Sequence, residues 1–293
     1  MKFQWKYTEK PGFFEALPMD SSTAADFLPY NFEQPIEGKV MKAVVVDVET
    51  TGLDLEQHPV TQIAFRSFKY SHQGGQVLAL ENIGSHYSDV DGEIPPHITE
   101  LTGITKELIR GKKVPPAFFA PILEANVIIA HRAEFDRPRV ERLMKSVGVT
   151  PPDTPWACSK FDIDWKGHGL PHDGLEMLSL LHGFFYDAHD AIRDVDAVAV
   201  LLGQINAQTG KTYLSEMLAN ARKKRTEIVC KGEFNIREKM KDLGYRFDYA
   251  DKTNRKMVLT DEVDEEKIKA KMAGATIVDV KEIDVRTRFR EQA

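Results

Sequence analysis

Apolar residues are concentrated in short runs along this chain, and the spacing within each run predicts a strand or a helix. Residues 43–46 are Ala-Val-Val-Val, and apolar side chains on successive positions are typical of a strand buried on both faces. Residues 60–68 and 76–83 predict two more strands, and the Gly74-Gly75 pair between them marks a hairpin turn. The remaining predictions for this part of the chain are strands over 127–130 and 154–158 and helices over 97–109, 116–124, 133–147, 174–183 and 192–208.

The order of these segments predicts an α/β domain over residues 41–210, with a mixed five-stranded sheet flanked by helices. Residues 1–40 hold scattered aromatic residues and prolines but no candidate chemistry. They are interpreted as an N-terminal extension that packs on the core or docks a partner, and packing is the preferred interpretation.

Residues 222–293 are predicted to form a separate small α+β module, which begins at a basic Arg-Lys-Lys-Arg cluster. Its predicted segments follow the order β-α-β-β-α-β, which resembles the ferredoxin-like split βαβ arrangement. Tyr245, Phe247 and Tyr249 alternate along one predicted strand and would share one face. Such a face is more often core than a platform for stacking bases, and a dimer or protein contact through this module is equally open.

The composition, 42% hydrophobic and 29% charged residues, is that of an ordinary globular protein. The net charge of -6 is unevenly spread, because residues 205–293 carry 20 Lys+Arg and 16 Asp+Glu, a net charge of +4. This distribution is compatible with a polyanionic partner and equally with chance. Cys158 and Cys230 lack the spacing of a zinc site or a disulfide framework. No segment has the length and apolarity of a signal core or a membrane span, so we expect a cytoplasmic protein without membrane association.

The first candidate chemistry lies at the end of the first apolar strand, at Asp47-Val48-Glu49. Residues i and i+2 of a strand project from the same face, with Cα atoms about 7 Å apart. Two carboxylates at that spacing can converge on a pair of divalent cations about 4 Å apart. The motif by itself is more often two exposed acids at a strand end.

Three other polar segments favour a metal site over two exposed acids. Residues 50–53 are Thr-Thr-Gly-Leu, residues 131–136 are His-Arg-Ala-Glu-Phe-Asp, and residues 189–194 are His-Asp-Ala-Ile-Arg-Asp. Positions five apart in a helix are separated by about 140°, so His189 is predicted to precede the helix that contains Asp194. A loop histidine can titrate near neutral pH.

Together these motifs resemble those of the DEDDh exonucleases, the DnaQ-like family with an RNase H-like fold. The match is Asp-x-Glu-Thr-Thr-Gly-Leu, His-x-Ala-x-Phe-Asp and His-x-Ala-x-x-Asp, in the family's order, over roughly residues 41–208. The chain looks most similar to the bacterial exonuclease X-like enzymes.

The resemblance implies that two divalent cations, Mg²⁺ or Mn²⁺, are bound by four acids: Asp47, Glu49, Asp136 and Asp194. His189 would act as general base toward the attacking water, and nucleoside 5′-monophosphates would leave from a 3′ end. The residues expected to contact the substrate are Thr50, Thr51, Gly52, Leu53, His131, Arg132 and Phe135. Arg132 departs from the family's usual Asn, and it could bind a phosphate or pair with a neighbouring acid.

Other polar residues are interpreted without a catalytic role. Asp190 and Asp196 are read as acids favoured at a helix start by the helix dipole. His168, His172 and His182 lie near Asp173, but their irregular spacing favours a loop over a metal site.

The expected substrate is DNA with a free 3′ end, with single strands preferred. A 3′→5′ exoribonuclease or oligoribonuclease-like enzyme is the alternative, because nothing in the sequence indicates recognition of a 2′-hydroxyl group. A nucleic-acid- or polymerase-associated binding module without activity is the alternative of another class. The presence of all four acids and the histidine disfavours it.

Overall fold

The computed structural model describes residues 16–28, 38–249 and 251–291. These residues form two compact units that divide between Ala221 and Arg222. Residues from Phe289 to Glu291 belong to the first unit.

The first unit contains both extended and helical segments. Its strands are β1 (Leu17–Pro18), β2 (Val40–Thr50), β3 (Val60–Ser71), β4 (Val77–Tyr87), β5 (Val127–Ala130), β6 (Trp156–Cys158) and β7 (Phe184–Phe185). Its α-helices are α1 (Pro96–Thr102), α2 (Lys106–Ile109), α3 (Ala120–Leu123), α4 (Ala133–Ser146), α5 (Leu175–Leu181), α6 (Ala191–Gly203) and α7 (Tyr213–Ala221). Two short 3-10 helices span Ala24–Phe27 and Pro116–Phe119.

The predicted mixed five-stranded sheet is confirmed, with the strand order β4-β3-β2-β5-β6. Strands β2, β3 and β4 pair antiparallel, whereas β5 and β6 run parallel to β2. The central strand β2 therefore ends at the same edge of the sheet as β5 and β6. Loops that follow these strands meet at this edge.

The two faces of β2 pack against different helices. Ala43 and Val45 lie in the same apolar cluster as the buried residues of α6. Val44 and Val46 lie in a second cluster, together with Val140 of α4. Because side chains alternate along a strand, the odd-numbered positions that follow Val45 also point toward the α6 side.

Some predicted elements differ from the observed ones. The helix predicted over 97–109 is wrong as one helix: α1 ends at Gly103, whose φ is 72°, and Thr105 caps the separate helix α2. A positive φ is accessible to glycine because it has no Cβ atom, and this conformation terminates a helix. The helix predicted over 116–124 begins as a 3-10 turn, and the one predicted over 192–208 ends at Gly203.

Two features were not predicted. Helix α7 follows α6 after a short connection. Strand β1 pairs in parallel with β7, and this pairing brings the nearby residues Met19, Ala24 and Leu28 into the core cluster of α6. Two-residue strands carry too little periodicity for recognition from sequence.

The second unit contains β8 (Arg225–Lys231), α8 (Arg237–Asp242), β9 (Arg246–Asp248), β10 (Thr253–Leu259), α9 (Val263–Met272) and β11 (Thr276–Ile283). Its strands pair antiparallel in the order β11-β8-β10-β9, which is the split βαβ arrangement. Met240 of α8 and Ala270 of α9 pack in one cluster with Ile228 and Cys230 of β8. Both helices therefore cover the same face of this sheet.

Among the described helices, none combines the length and apolar character needed to cross a bilayer.

Candidate active site

Three carboxylates converge at the end of the central strand. Asp47 and Glu49 lie on β2, on the side that faces α6, and Asp194 lies in the first turn of α6. One oxygen from each carboxylate lies within 4.8 Å of the others. Within the described part of the chain, this is the group of His, Cys, Asp or Glu side chains arranged closely enough to hold a metal ion.

Asp136 approaches the same place from the other helix. It lies in the first turn of α4, which begins two residues after β5 ends. Its side chain is buried and lines the same pocket as the three clustered carboxylates, although it is not part of their closely spaced group.

The pocket has a volume of about 310 Å³. Acidic, basic and aromatic side chains line it. Its lining residues are Asp47, Val48, Glu49, His131, Arg132, Phe135, Asp136, Lys160, Gly174, Leu175, Glu176, Tyr186, Ala188, His189 and Asp194.

Burial raises the pKa values of these four acids, and at Asp47 and Glu49 the neighbouring acids raise them further. Burial is the main cause at Asp47, whose pKa lies well above its ordinary value, and the charges of Asp136, Asp194 and Glu49 add to the effect. Burial followed by the charges of Asp194 and Asp136 raises the pKa of Glu49 to about 8.

The two helix acids are also shifted, but neighbouring donors oppose the shift. Burial raises the pKa of Asp136 to about 7, while the guanidinium groups of Arg139 and Arg132 act to lower it. Burial raises the pKa of Asp194 to about 6, against the hydrogen bond from Tyr186 and the charge of His189.

These carboxylates fit a site for hard divalent cations. Oxygen ligands of this kind suit Mg²⁺ and Mn²⁺, and the mutual repulsion of four neighbouring acids is relieved by positive charge between them. Of the four acids expected from the sequence, Asp47, Glu49 and Asp194 form one close group, and Asp136 lines the same pocket.

His189 lies at the exposed rim of the pocket in a left-handed backbone conformation, with φ of 65°. The next residue, Asp190, caps α6 through the backbone N–H of Ile192. The Asp190 carboxylate also accepts a hydrogen bond of 2.9 Å from Gln62 Nε2 on β3. Gln62 was not recognised in the sequence, and this hydrogen bond ties the segment that carries His189 to the sheet.

The threonine hydroxyl groups of the turn over residues 50–53 are engaged within the protein. Thr50 Oγ1 donates to the Gly52 carbonyl at 2.6 Å, and Thr51 Oγ1 lies 3.2 Å from His58 Nδ1. Both threonines are buried, so their hydroxyl groups stabilise the turn itself. A Cβ atom on Gly52 would lie 2.8 Å from the His58 ring, which accounts for glycine there.

Leu53 is the member of this turn that faces outward, with 78% of its surface exposed. Its carbonyl accepts a hydrogen bond of 2.5 Å from Arg139 Nη2, and Arg139 Nη1 donates to the Phe135 carbonyl at 2.8 Å. The Arg139 guanidinium carbon lies 3.5 Å from the centre of the Phe135 ring. Arg139 therefore joins the turn to α4, a role that the sequence did not reveal.

His131 is buried, and both of its ring nitrogens are engaged within the protein. Nε2 lies 2.9 Å from the Asp173 carbonyl, which can only accept, so Nε2 carries the proton. Nδ1 then accepts from Ser159 Oγ at 2.8 Å. Burial lowers the pKa of His131 to about 4, which keeps the ring neutral. We infer that His131 holds the pocket wall in place, because neither nitrogen is available to a substrate.

Two cationic side chains lie on the pocket lining. Arg132 is exposed, and its guanidinium carbon lies 5.6 Å from the centre of the half-buried Phe135 ring. Lys160, which the sequence did not single out, pairs with Asp173 at 3.0 Å. Positive charge thus borders an acidic pocket, as a phosphate-containing ligand requires.

Two histidines outside the pocket have side-chain partners within the protein. His168 Nε2 lies 2.8 Å from the Glu216 carboxylate, and His182 Nε2 lies 3.2 Å from the Tyr213 hydroxyl.

Replacing Tyr186 by phenylalanine is expected to reduce kcat by about tenfold. The Tyr186 hydroxyl donates to Asp194 Oδ1 at 2.7 Å, and a hydrogen bond to a charged group contributes about 1.5–3 kcal/mol. Without it, Asp194 loses its fixed orientation in the pocket. Tyr213→Phe removes a comparable hydroxyl contact outside the pocket lining and should leave kcat unchanged. Equal kcat values for the two variants would contradict a positioning role for Tyr186.

The raised pKa values predict that the metal-free protein loses stability as pH rises. Asp194, with an ordinary pKa of 3.8, releases its proton near pH 4 when unfolded but near pH 6 when folded. For Glu49 the corresponding values are 4.5 and about 8. The unfolded state therefore binds fewer protons between about pH 4 and pH 8, so the contribution of these groups to stability is lost through that interval.

In EDTA we expect Tm to fall by roughly 5 °C between pH 6 and pH 8.5, from a loss of about 2 kcal/mol. Mg²⁺ or Mn²⁺ should restore Tm at pH 8.5 more than at pH 6, because the deprotonated acids bind the cation. Thermal unfolding at both pH values, with and without metal, measures this difference. A restoration by metal that is the same at pH 6 and pH 8.5 would be the contrary result.

Comparison with known proteins places residues 44–202 within the family model RNase_T, described as Exonuclease. The PolC-type DNA polymerase III of Thermotoga maritima is 29% identical over 184 residues, which is 59% of this chain and 13% of that protein. The PolC-type DNA polymerase III of Streptococcus suis is 30% identical over 132 residues, which is 43% of this chain and 8% of that protein. The matched region thus spans a small part of the length of these relatives.

Two solved structures are also similar. Exonuclease X in complex with 5′ overhanging duplex DNA is 22% identical and has a TM-score of 0.44, covering 61% of this chain and 98% of that chain. E. coli exonuclease I in complex with a 5cy-dA13 oligonucleotide is 17% identical and has a TM-score of 0.47, covering 64% of this chain and 48% of that chain.

Proposed function

Because this chain belongs to the RNase_T exonuclease family, we propose that its pocket hydrolyses DNA one nucleotide at a time from a free 3′ end, with single strands preferred. The observation that carries this proposal is the convergence of Asp47, Glu49 and Asp194, with one oxygen of each within 4.8 Å of the others. Such a cluster at the mouth of an open pocket suits two-metal phosphodiester hydrolysis.

The proposed cofactor is a pair of divalent cations, Mg²⁺ or Mn²⁺, held by Asp47, Glu49, Asp136 and Asp194. When bound, these cations would lower the pKa of a bound water and stabilise charge on the departing 3′-oxygen. The remaining work falls to the protein's own side chains.

His189 is the proposed general base. It lies at the pocket rim, where a ring nitrogen can accept the proton of the attacking water. The Gln62–Asp190 hydrogen bond of 2.9 Å restrains the adjacent residue, so the ring is presented from an anchored segment. The left-handed backbone at His189, unusual for a residue other than glycine, fits a position kept for function.

The substrate would be held by the groups around the acids. Arg132 and Lys160, which line the pocket, would bind backbone phosphates, and the exposed Leu53 would contact the terminal base. The hydroxyl groups of Thr50 and Thr51 and the backbone N–H groups of Thr51 and Gly52 are engaged within the protein, so these residues would support Leu53 by holding the turn in shape. Phe135 would serve mainly as the surface on which Arg139 packs.

We favour DNA over RNA as the substrate because the two relatives described above are DNA polymerases by name. RNA remains the alternative, since no described contact is specific to deoxyribose.

The test uses 5′-labelled single-stranded DNA, duplex DNA and RNA of one sequence, each incubated with Mg²⁺, Mn²⁺ or EDTA. We expect a ladder that shortens from the 3′ end with either metal, is absent in EDTA, and forms fastest on single-stranded DNA. Fastest shortening of RNA would assign an exoribonuclease instead. No shortening of any substrate with either metal would overturn the proposal and favour a binding module.

A further inference from the structure

The second unit contains a cleft that the proposed exonuclease reaction does not use. Its volume is about 870 Å³, and it lies between helix α8 and the edge strand β9. It is lined by Asn235, Arg237, Glu238, Lys241, Gly244, Tyr245, Arg246, Phe247, Tyr249 and Asn254.

Aromatic rings form one side of this cleft. The sequence predicted that Tyr245, Phe247 and Tyr249 share one face, but β9 contains only residues 246–248. Tyr245, before this strand, is buried at 4% exposure, whereas Tyr249, after it, is 78% exposed. The rings of Phe247 and Tyr249 stay in contact edge to face, with centres 5.1 Å apart. A large aromatic side chain is thus left facing solvent beside a half-buried one.

Cationic side chains accompany these rings. The Arg237 guanidinium carbon lies 4.0 Å from the centre of the Phe247 ring and 5.3 Å from that of Tyr249. Lys241 and Arg246 also line the cleft, against one acid, Glu238. The whole unit, residues 222–288, has 18 Lys+Arg and 14 Asp+Glu, a net charge of +4 in a chain of net charge -6. The cleft therefore combines stacking surfaces with positive charge.

We propose that this cleft binds a single strand of nucleic acid, with a base stacked on Tyr249 and the backbone phosphates near Lys241 and Arg246. Unpaired bases stack on aromatic and guanidinium groups, and adjacent phosphates are neutralised by Lys and Arg. An acidic peptide would satisfy the positive charge but would make no use of the exposed ring. A duplex keeps its bases stacked internally and offers no free face to Tyr249. This site is separate from the proposed hydrolytic pocket.

The test measures binding of the full chain in EDTA, so that no hydrolysis occurs, by the fluorescence anisotropy of a 5′-labelled oligothymidylate about 20 nucleotides long. Tyr249→Ala is expected to weaken binding roughly tenfold, whereas Tyr249→Phe keeps the ring and should bind like wild type. Because Tyr249 is exposed, its loss leaves the core of the unit intact.

A second strand that carries phosphates but abasic sugars separates stacking from charge. On it, wild type and Tyr249→Ala should bind equally. Lys241→Ala should reduce the salt dependence on the thymidine strand, by about 0.7 in the slope of log affinity against log salt. Lys239→Ala, an exposed neighbour on α8 outside the cleft lining, is the matched control and should change affinity less.

Three results would overturn the proposal: no binding of the strand by wild type, equal affinity of wild type and Tyr249→Ala, or equal sensitivity of the abasic strand to that substitution. Poly-glutamate that competes as well as the strand would assign an acidic protein partner. A matched RNA strand shows which sugar the cleft prefers.

The outcome is distinguishable from that of the exonuclease assay. If the protein shortens DNA but Tyr249→Ala does not change binding, only the proposed binding of a strand by this cleft is overturned. If binding of the strand depends on Tyr249 but no substrate is shortened, only the proposed hydrolysis is overturned.

Discussion

Replacing Asp47 by asparagine is expected to lower the rate of 3′-end shortening by at least about a thousandfold, or about 4 kcal/mol of activation free energy. The amide keeps the shape of the side chain but removes a negative charge from a group of oxygens that lie within 4.8 Å of one another. Metal affinity in such a site depends on that charge, and the cations contribute several kcal/mol to the reaction.

The same substitution should not unfold the protein. Burial and four neighbouring acids raise the pKa of Asp47, so its ionised form opposes folding in the absence of metal. In EDTA at pH 8, Asp47→Asn should therefore have a Tm equal to or above that of wild type. Loss of activity combined with a retained Tm identifies a chemical defect.

Asp187→Asn is the matched control, because Asp187 is exposed, lies close to His189 in the chain and is outside the pocket lining. It should keep the wild-type rate. Activity of Asp47→Asn within tenfold of wild type, at saturating metal, would exclude the proposed role of this acid.

Breaking the buried ion pair between Arg66 and Asp196 is expected to cost about 3–5 kcal/mol of unfolding free energy. Arg66 Nε donates to Asp196 Oδ1, and the two side chains are 6% and 1% exposed. The pair connects β3 to α6, two residues beyond Asp194. Arg66→Met leaves a buried carboxylate without its counter-charge, and Asp196→Leu leaves a buried guanidinium group.

The double variant Arg66→Met, Asp196→Leu should recover most of the lost stability, because a buried ion pair can be replaced by apolar groups at little net cost. Urea unfolding of the two single variants and the double variant gives the coupling free energy. Single substitutions that cost less than about 1 kcal/mol would show that water solvates this pair in the native state.

Glu124→Ala provides the surface comparison. Glu124 pairs with Lys42 at 2.8 Å, but its side chain is 65% exposed. Its loss should change the unfolding free energy by about 1 kcal/mol or less, because water screens exposed pairs. If Glu124→Ala and Asp196→Leu lower the unfolding free energy by similar amounts, burial is not the reason for the cost of breaking the pair between Arg66 and Asp196.

The sequence predicted the central strands β2 and β5 because residues 43–46 and 127–130 are apolar on successive positions, and a strand buried on both faces can be recognised without tertiary information. The strand predicted over 127–130 is observed as Val127–Ala130. Prediction failed where the signal is short: β1 has two residues, and helix α1 is separated from α2 by three residues, the first of which is a glycine in the left-handed conformation.

The three acidic motifs show which features of the site follow from the spacing of residues that are close in the chain. Asp47 and Glu49 share a face because the period of a strand is two residues, and Asp136 and Asp194 each lie in the first turn of a helix. Those local positions follow from the sequence. The identity of the residues that support them does not, since Gln62 reaches Asp190 across 128 positions of the chain.

Asp196 shows the same division most clearly. The sequence presents it as one more acid near a helix start, whereas the fold buries it against Arg66, 130 positions away. Tyr245 and Tyr249 likewise look equivalent in sequence, yet one enters the core and the other faces solvent. By itself, the sequence determined most of the element types and the candidate acids, because these depend on neighbours a few residues apart, and it indicated the family through three such motifs in order. The tertiary structure alone decided which polar groups are buried, paired or exposed, because burial depends on packing between segments that are distant in the chain.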